Sequence, residues 1–168
     1  KKEYEDTVRE IFSYVLRDMT DPNGGFYCAE DADSEGIEGK FYLWTSGEVQ
    51  SVLDANESDL FLSLYRHSSD ESIPGMQEMT AGSFIPHLKH VSENHSKDFR
   101  YDDNEKIENI RKKLFAVREK RVRPHRDDKI LTDWNGLMIA ALARGAQVFD
   151  EPAYADAAVK AMDFILQS

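Results

Sequence analysis

The chain has 168 residues, 21 Lys and Arg against 32 Asp and Glu, a formal net charge of −11, one Cys and 40% hydrophobic residues. Such an acidic balance repels a phosphate backbone and an anionic bilayer surface, which argues against nucleic-acid binding and membrane-surface attachment. Uninterrupted apolar stretches are only a few residues long, far below the roughly 20 that span a bilayer. The lone Cys28 makes neither an internal disulfide nor a Cys-rich metal site, so an intracellular, cytoplasmic setting is the default expectation.

Tyr4, Val8, Ile11, Phe12, Val15, Leu16 and Met19 recur at helical spacing and predict a first helix. It ends at Asp21-Pro22-Asn23-Gly24-Gly25, a dense turn signal. Phe26, Tyr27 and Cys28, then Phe41-Tyr42-Leu43-Trp44, read as two short extended pieces and predict a β-hairpin within 20–45. Its tip, 29–39, carries Glu30, Asp31, Asp33, Glu35 and Glu38 and no cation. Thr45 with Glu48 three residues later is a capping box, opening a short helix through Val49, Val52 and Leu53. A further helix carries Leu60, Phe61, Leu64 and Tyr65. From 68 to 100 the pattern dissolves, which predicts an irregular, mobile insertion with a short strand at 83–85.

Order returns with Ile107, Ile110, Leu114 and Val117, a single apolar stripe on a charged helix. A basic run at 118–129 follows, interrupted by Pro124. Residues 134–149 are apolar on nearly every side, which predicts a buried helix. Asp150-Glu151-Pro152 joins it to a last helix bearing Tyr154, Ala157, Ala158, Ala161, Met162, Ile165 and Leu166, and a link that short predicts antiparallel neighbours. The chain opens and closes inside helical patterns, so 1–168 reads as one fragment of a larger domain. About five helices in hairpin order are the physical content of an α/α toroid or an α-solenoid.

Two long strings carry a resemblance. The first is Gly24-Gly25-Phe26-Tyr27-Cys28-Ala29-Glu30-Asp31-Ala32-Asp33-Ser34-Glu35-Gly36, continued by Gly39-Lys40-Phe41-Tyr42-Leu43-Trp44-Thr45. The second is Arg121-Val122-Arg123-Pro124-His125, then Asp128-Lys129-Ile130-Leu131-Thr132-Asp133-Trp134-Asn135-Gly136-Leu137-Met138-Ile139-Ala140-Ala141-Leu142-Ala143. Together they resemble the YyaL-type, spermatogenesis-associated family of thioredoxin-domain-containing proteins. The resemblance implies a mainly α chain, a partial (α/α) toroid of the six-hairpin glycosidase or N-acylglucosamine 2-epimerase kind, with a small β-hairpin insertion. It also implies a thioredoxin-like domain elsewhere in the full-length chain.

In toroids that act on sugars, an oxocarbenium-like transition state needs protonation on one side and negative charge on the other, a task for paired carboxylates. Asp31, Asp33 and Glu35 are the candidate catalytic acids, with Glu30 as a substrate contact; crowding of like charges suits an acid role. Arg123 and His125 are their expected catalytic partners from the basic run, with Lys129 as a binding residue. Asp133 and Trp134 complete the substrate-binding set, Trp134 as a platform for a sugar ring; the local alternative makes Asp133 a helix N-cap. A structural alternative pairs Arg121, Arg123, Arg126 and Lys129 with Glu30, Asp31, Asp33 or Glu35.

Asp31-x-Asp33-x-Glu35-Gly36 opens like an EF-hand loop, but its twelfth position is Tyr42 rather than Glu. The five histidines, His67, His87, His90, His95 and His125, are dispersed, so neither a metal nor a cofactor is expected. The expected function of the intact protein is a carbohydrate-active role of epimerase or glycosidase type on a carbohydrate ligand, the isolated fragment being inactive. The alternative is a non-enzymatic scaffold that partners the thioredoxin-like domain of its own chain. Apolar faces left uncovered on the fragment predict self-association.

Overall fold

The chain is mainly helical with small two-stranded sheets, as its periodicities require. A computed structural model describes residues 2–66, 82–88 and 101–167. It divides into two units, one formed by Lys1–Asp31 with Arg126–Ser168 and the other by Ala32–His125. Of the irregular stretch expected at 68–100, only 82–88 falls among the described residues. The remainder, with His90 and His95, lies outside them, as does His67.

The first unit is built on α1 (Lys2–Asp18), α5 (Thr132–Phe149) and α6 (Pro152–Gln167). Their shared core is Phe12, Phe26, Leu142, Ala158 and Ala161, flanked by Val8, Val15, Leu16, Met138 and Ile139. Gly145 lets α5 approach Phe12, whose ring meets Tyr154 edge-on at 4.8 Å. After α1, the predicted turn forms: Asp21 Oδ1 accepts the Asn23 N–H at 2.7 Å, and Gly24 takes φ 125°, open only to glycine at this cost. A β-bridge then joins Thr20 to Phe26.

The helix at 132–149 departs from expectation. Only Asn135, Leu142 and Gly145 are buried along it, while Trp134 (53% exposed), Leu137 (73%) and Val148 (60%) face outward. The buried positions fall at i, i+7 and i+10, a single stripe facing its neighbours, so an all-round apolar pattern marks more than one contact face here rather than a helix already enclosed. Asp133 also differs from the expected cap. The helix begins at Thr132 with Leu131 as N-cap, and Asp133 Oδ1 accepts only the adjoining Trp134 N–H at 3.0 Å.

The second unit packs α2 (Ser46–Val52), α3 (Ala55–Leu64) and α4 (Tyr101–Arg118) around Trp44, Val49, Leu53, Phe61, Phe84, Ile107, Ile110 and Leu114. The stripe read on α4 thus faces this core. Two reciprocal capping boxes start α2 and α3, Thr45 with Glu48 and Asp54 with Glu57, each satisfying orphan N–H groups.

The strands pair differently from a single hairpin over 20–45. β4 (Trp44–Thr45) pairs antiparallel with β6 (Ser83–Phe84), and β5 (Tyr65–Arg66) with β7 (His87–Leu88). Lys40–Tyr42 winds into a 3₁₀ turn behind Gly39 at φ 70°. The hairpin that does form is smaller: β2 (Asp33–Ser34) and β3 (Ile37–Glu38). Its two-residue loop, Glu35-Gly36, takes φ 53° and 75°, the doubly positive pattern that suits the twist of a tight hairpin. In the first unit, β1 (Ala29–Glu30) instead pairs with β8 (Arg126–Asp127).

Candidate functional site

Within each unit, parts of the two long sequence strings make specific contacts with each other. In the first unit, Phe26 donates its N–H to Asn135 Oδ1 at 2.7 Å and accepts from Asn135 Nδ2 at 2.9 Å. Arg126 lies 4.1 Å over the Tyr27 ring and donates to the Asp18 carbonyl at 3.1 Å. The Cys28 thiol donates to the Asp127 carbonyl; burial, followed by the interaction of the thiol with the Asp127 carboxylate, holds its pKa above the ordinary value. A raised pKa leaves Cys28 as thiol at neutral pH, a packing residue rather than a nucleophile.

In the second unit, Ser34 donates its hydroxyl to the Val122 carbonyl at 2.5 Å. The Arg121 guanidinium donates to the carbonyls of Phe41 (3.1 Å) and Leu43 (2.5 Å), reaches Glu48 Oε1 at 3.3 Å, and stacks 4.3 Å over Trp44. Arg118 and Arg123 both lie 5.3 Å from the Phe41 ring centre, and Arg123 pairs with Glu119 at 2.5 Å. These arginines serve as cross-braces.

Several charges of the acidic tip and the basic run have partners within their own unit. Arg121 goes to Glu48, Lys129 to Asp127 at 2.7 Å, and Glu35 to Lys40 at 2.8 Å. Glu30 accepts from the Tyr14 hydroxyl at 2.7 Å. Lys129–Asp127 and Glu35–Lys40 are local pairs, made by residues already held close by a strand or turn, so little further side-chain freedom is lost.

The candidate residues divide between the units: Glu30, Asp31, Lys129, Asp133 and Trp134 in the first, Asp33, Glu35, Arg123 and His125 in the second. Asp31, Asp33 and His125 are exposed. What the second unit does gather is a cleft of about 450 Å³, in the range of small-molecule pockets. Ser34 and Glu35 from the tip line it together with Lys40, Glu48, Lys120 and Arg121. Of the nominated catalytic residues, Glu35 alone lines it. Glu48 was hidden from sequence reasoning by its capping role: Oε2 accepts the Thr45 N–H at 2.7 Å and hydroxyl at 2.9 Å while Oε1 meets Arg121. Asn135 was missed too, although an amide set in an otherwise apolar helix was a visible signal.

A second concavity, about 460 Å³ and mainly apolar, lies in the first unit along α5 and α6. No group of three or more His, Cys, Asp and Glu among the described residues is arranged to hold a metal ion. No described helix is long and apolar enough to cross a membrane.

No family model matches the sequence. The chain is similar to spermatogenesis-associated protein 20 of Homo sapiens, 33% identical over 165 residues, which covers 83% of this chain and 20% of that protein. The rat protein of the same name is 32% identical, covering 86% of this chain and 21% of its own length. An uncharacterised protein of Caenorhabditis elegans, B0495.5, is 28% identical over 178 residues, or 94% of this chain and 24% of its own. The chain therefore spans about a fifth of the length of the curated relatives it matches. These relatives support the likeness to the spermatogenesis-associated family over most of the chain.

Proposed function

We propose that this chain is a segment of a spermatogenesis-associated family member, part of an α/α toroid, whose second unit supplies a cleft for a carbohydrate-class ligand. The supporting observation is the cleft itself, where Glu35 of the acidic tip and Glu48 stand among hydroxyl and cationic groups of both sequence strings. Two carboxylates with hydroxyl donors are the functional groups that glycoside or epimerase chemistry requires. Glu35 takes the role assigned to the tip, Glu48 that of the second carboxylate, and Lys120 and Arg121 orient ligand hydroxyls. Titrating free sugars and glycosides into the protein tests this by NMR shift perturbation. At least one should bind, with affinity falling about tenfold or more for Glu35→Gln, the loss of one charged hydrogen bond. A folded protein on which no sugar shifts any cleft resonance defeats the reading.

A second reading, a scaffold that packs against other parts of a longer protein, is favoured by the outward apolar residues of α5 and α6. Under it the acidic tip is a solvated surface, consistent with the exposure of Asp31 and Asp33.

A further inference from the structure

The cleft of the second unit is unevenly charged. Its ionic lining is Glu35, Lys40, Glu48, Lys120 and Arg121. Both carboxylates are already matched, Glu35 by Lys40 at 2.8 Å and Glu48 by Arg121 at 3.3 Å. Lys120 has no carboxylate partner among the described residues. Three cations against two carboxylates leave the cleft net positive, on a chain whose total is −11.

The backbone builds this imbalance. Glu35 stands at φ 53°, a region that an L side chain enters at a cost, and in that position its carboxylate occupies Lys40. Behind α4, Lys120 donates its N–H to the Val117 carbonyl at 3.1 Å and Arg121 to that of Arg118 at 2.9 Å. Two successive turns thus bring adjacent cations to one cleft. A cation there also complements the α4 C-terminus, a local use of Lys120 that implies no ligand preference.

We propose that the cleft takes a sugar bearing an anionic group, a carboxylate or a phosphate, whose charge Lys120 receives. The inference rests on the carbohydrate reading and narrows its ligand class. A neutral sugar leaves the Lys120 ammonium with water, and a cationic one is repelled by it. An anionic group gains a charge-assisted hydrogen bond there while both existing ion pairs stay intact. Repulsion from the acidic remainder of the chain is screened beyond about 8 Å at physiological ionic strength, so the local excess of positive charge decides selectivity.

Glucose, galactose and mannose, each as the neutral sugar, the uronic acid and the terminal phosphate ester, are titrated into the protein by NMR, with inorganic phosphate as control. At least one charged form should bind about fivefold or more tighter than its neutral parent, and high salt should narrow that gap. Whether uronic acid or phosphate ester gains more identifies the anionic group. Lys120→Gln should abolish the charge preference and leave neutral-sugar affinity unchanged, while Lys120→Arg keeps the preference; a role confined to the helix end moves neither. Lys120 is exposed, so both variants should fold, as amide spectra will show. Neutral sugars that bind as tightly as their charged forms overturn this inference and leave the carbohydrate reading standing. So does a preference that survives Lys120→Gln. Inorganic phosphate binding as tightly as the phosphate esters overturns it as well, since the sugar then contributes nothing. If no sugar of any charge shifts a cleft resonance, the carbohydrate reading itself fails and this inference with it.

Discussion

Asn135 holds Phe26 by both of its backbone groups, accepting the N–H at 2.7 Å and donating to the carbonyl at 2.9 Å, while the same amide nitrogen also meets the Leu131 carbonyl at 3.0 Å. A side-chain amide here does the work of a neighbouring β-strand for one residue. Asn135 is 1% exposed, so no water replaces it. Asn135→Ala should therefore cost about 3 kcal/mol, the penalty of leaving buried donors and acceptors unmade. Asn135→Asp should cost at least as much, because it faces two carbonyls with a carboxylate. Urea unfolding followed by circular dichroism reads both, and a loss below 1 kcal/mol would contradict the clasp.

Two glycines of α5 should respond oppositely to the same change. A Cβ at Gly145 collides with the Phe12 ring, whereas one at Gly136 meets nothing within 4 Å. Gly136→Ala should stabilise by about 0.5–1 kcal/mol, through the backbone entropy a helical glycine loses. Gly145→Ala gains the same propensity but overpacks, a cost of about 1–3 kcal/mol that outweighs it. Thermal melts should move up for the first and down for the second.

Arg121→Lys should behave as a disruptive substitution. The planar guanidinium serves two carbonyls, Glu48 and the Trp44 face at once, a geometry that one ammonium cannot reproduce. The expected loss is about 2 kcal/mol, in the range for hydrogen bonds made by a charged group. Hydrogen exchange should quicken at the amides of 41–45 more than elsewhere in the second unit.

Stability should form a plateau bounded on both sides of neutral pH. The Asn23 N–H, then the Tyr27 hydroxyl, hold the Asp21 carboxyl below its ordinary range, and Lys129 does the same for Asp127. A lowered carboxylate contributes stability above its unfolded value, and that contribution disappears as pH falls through the folded one. Asp21 in turn pushes the Tyr27 phenol up, and Asp127 raises Lys129. Groups raised in the fold contribute below their unfolded values and lose the contribution as pH climbs through the folded ones. Asp21→Asn should flatten the acid limb of a stability profile and Tyr27→Phe the alkaline limb. All four groups are solvated, so both limbs are shallow.

Local features were legible in sequence where one residue type has one physical use. The turn at 21–25, the Thr45–Glu48 box, the stripe on α4 and the strand near 83 each follow from glycine, capping or periodicity acting over a few residues. Pairing was not, because strands of two residues carry no register information. Ala29–Glu30 therefore found Arg126–Asp127, nearly 100 positions away, rather than a partner across a nearer turn. The acidic tip misled for a related reason. Composition shows that carboxylates are close in the chain, not which of them turn toward a cleft, and the doubly left-handed Glu35-Gly36 loop decides that. Glu48 escaped notice because a helix-starting role already explained it. On α5, the apolar content is plain in the sequence, but how much of that surface the neighbouring helices within the unit cover is not, because periodicity carries no information about what packs on a face.

The Glu48 carboxylate begins α2 with one oxygen and anchors Arg121 with the other. A molecule that draws this carboxylate toward itself competes with those grips, so occupancy of the cleft is coupled to fraying of the helix start. The Thr45 amide, which donates to Oε2, is then a built-in gauge, its exchange with solvent rising as the carboxylate is drawn away.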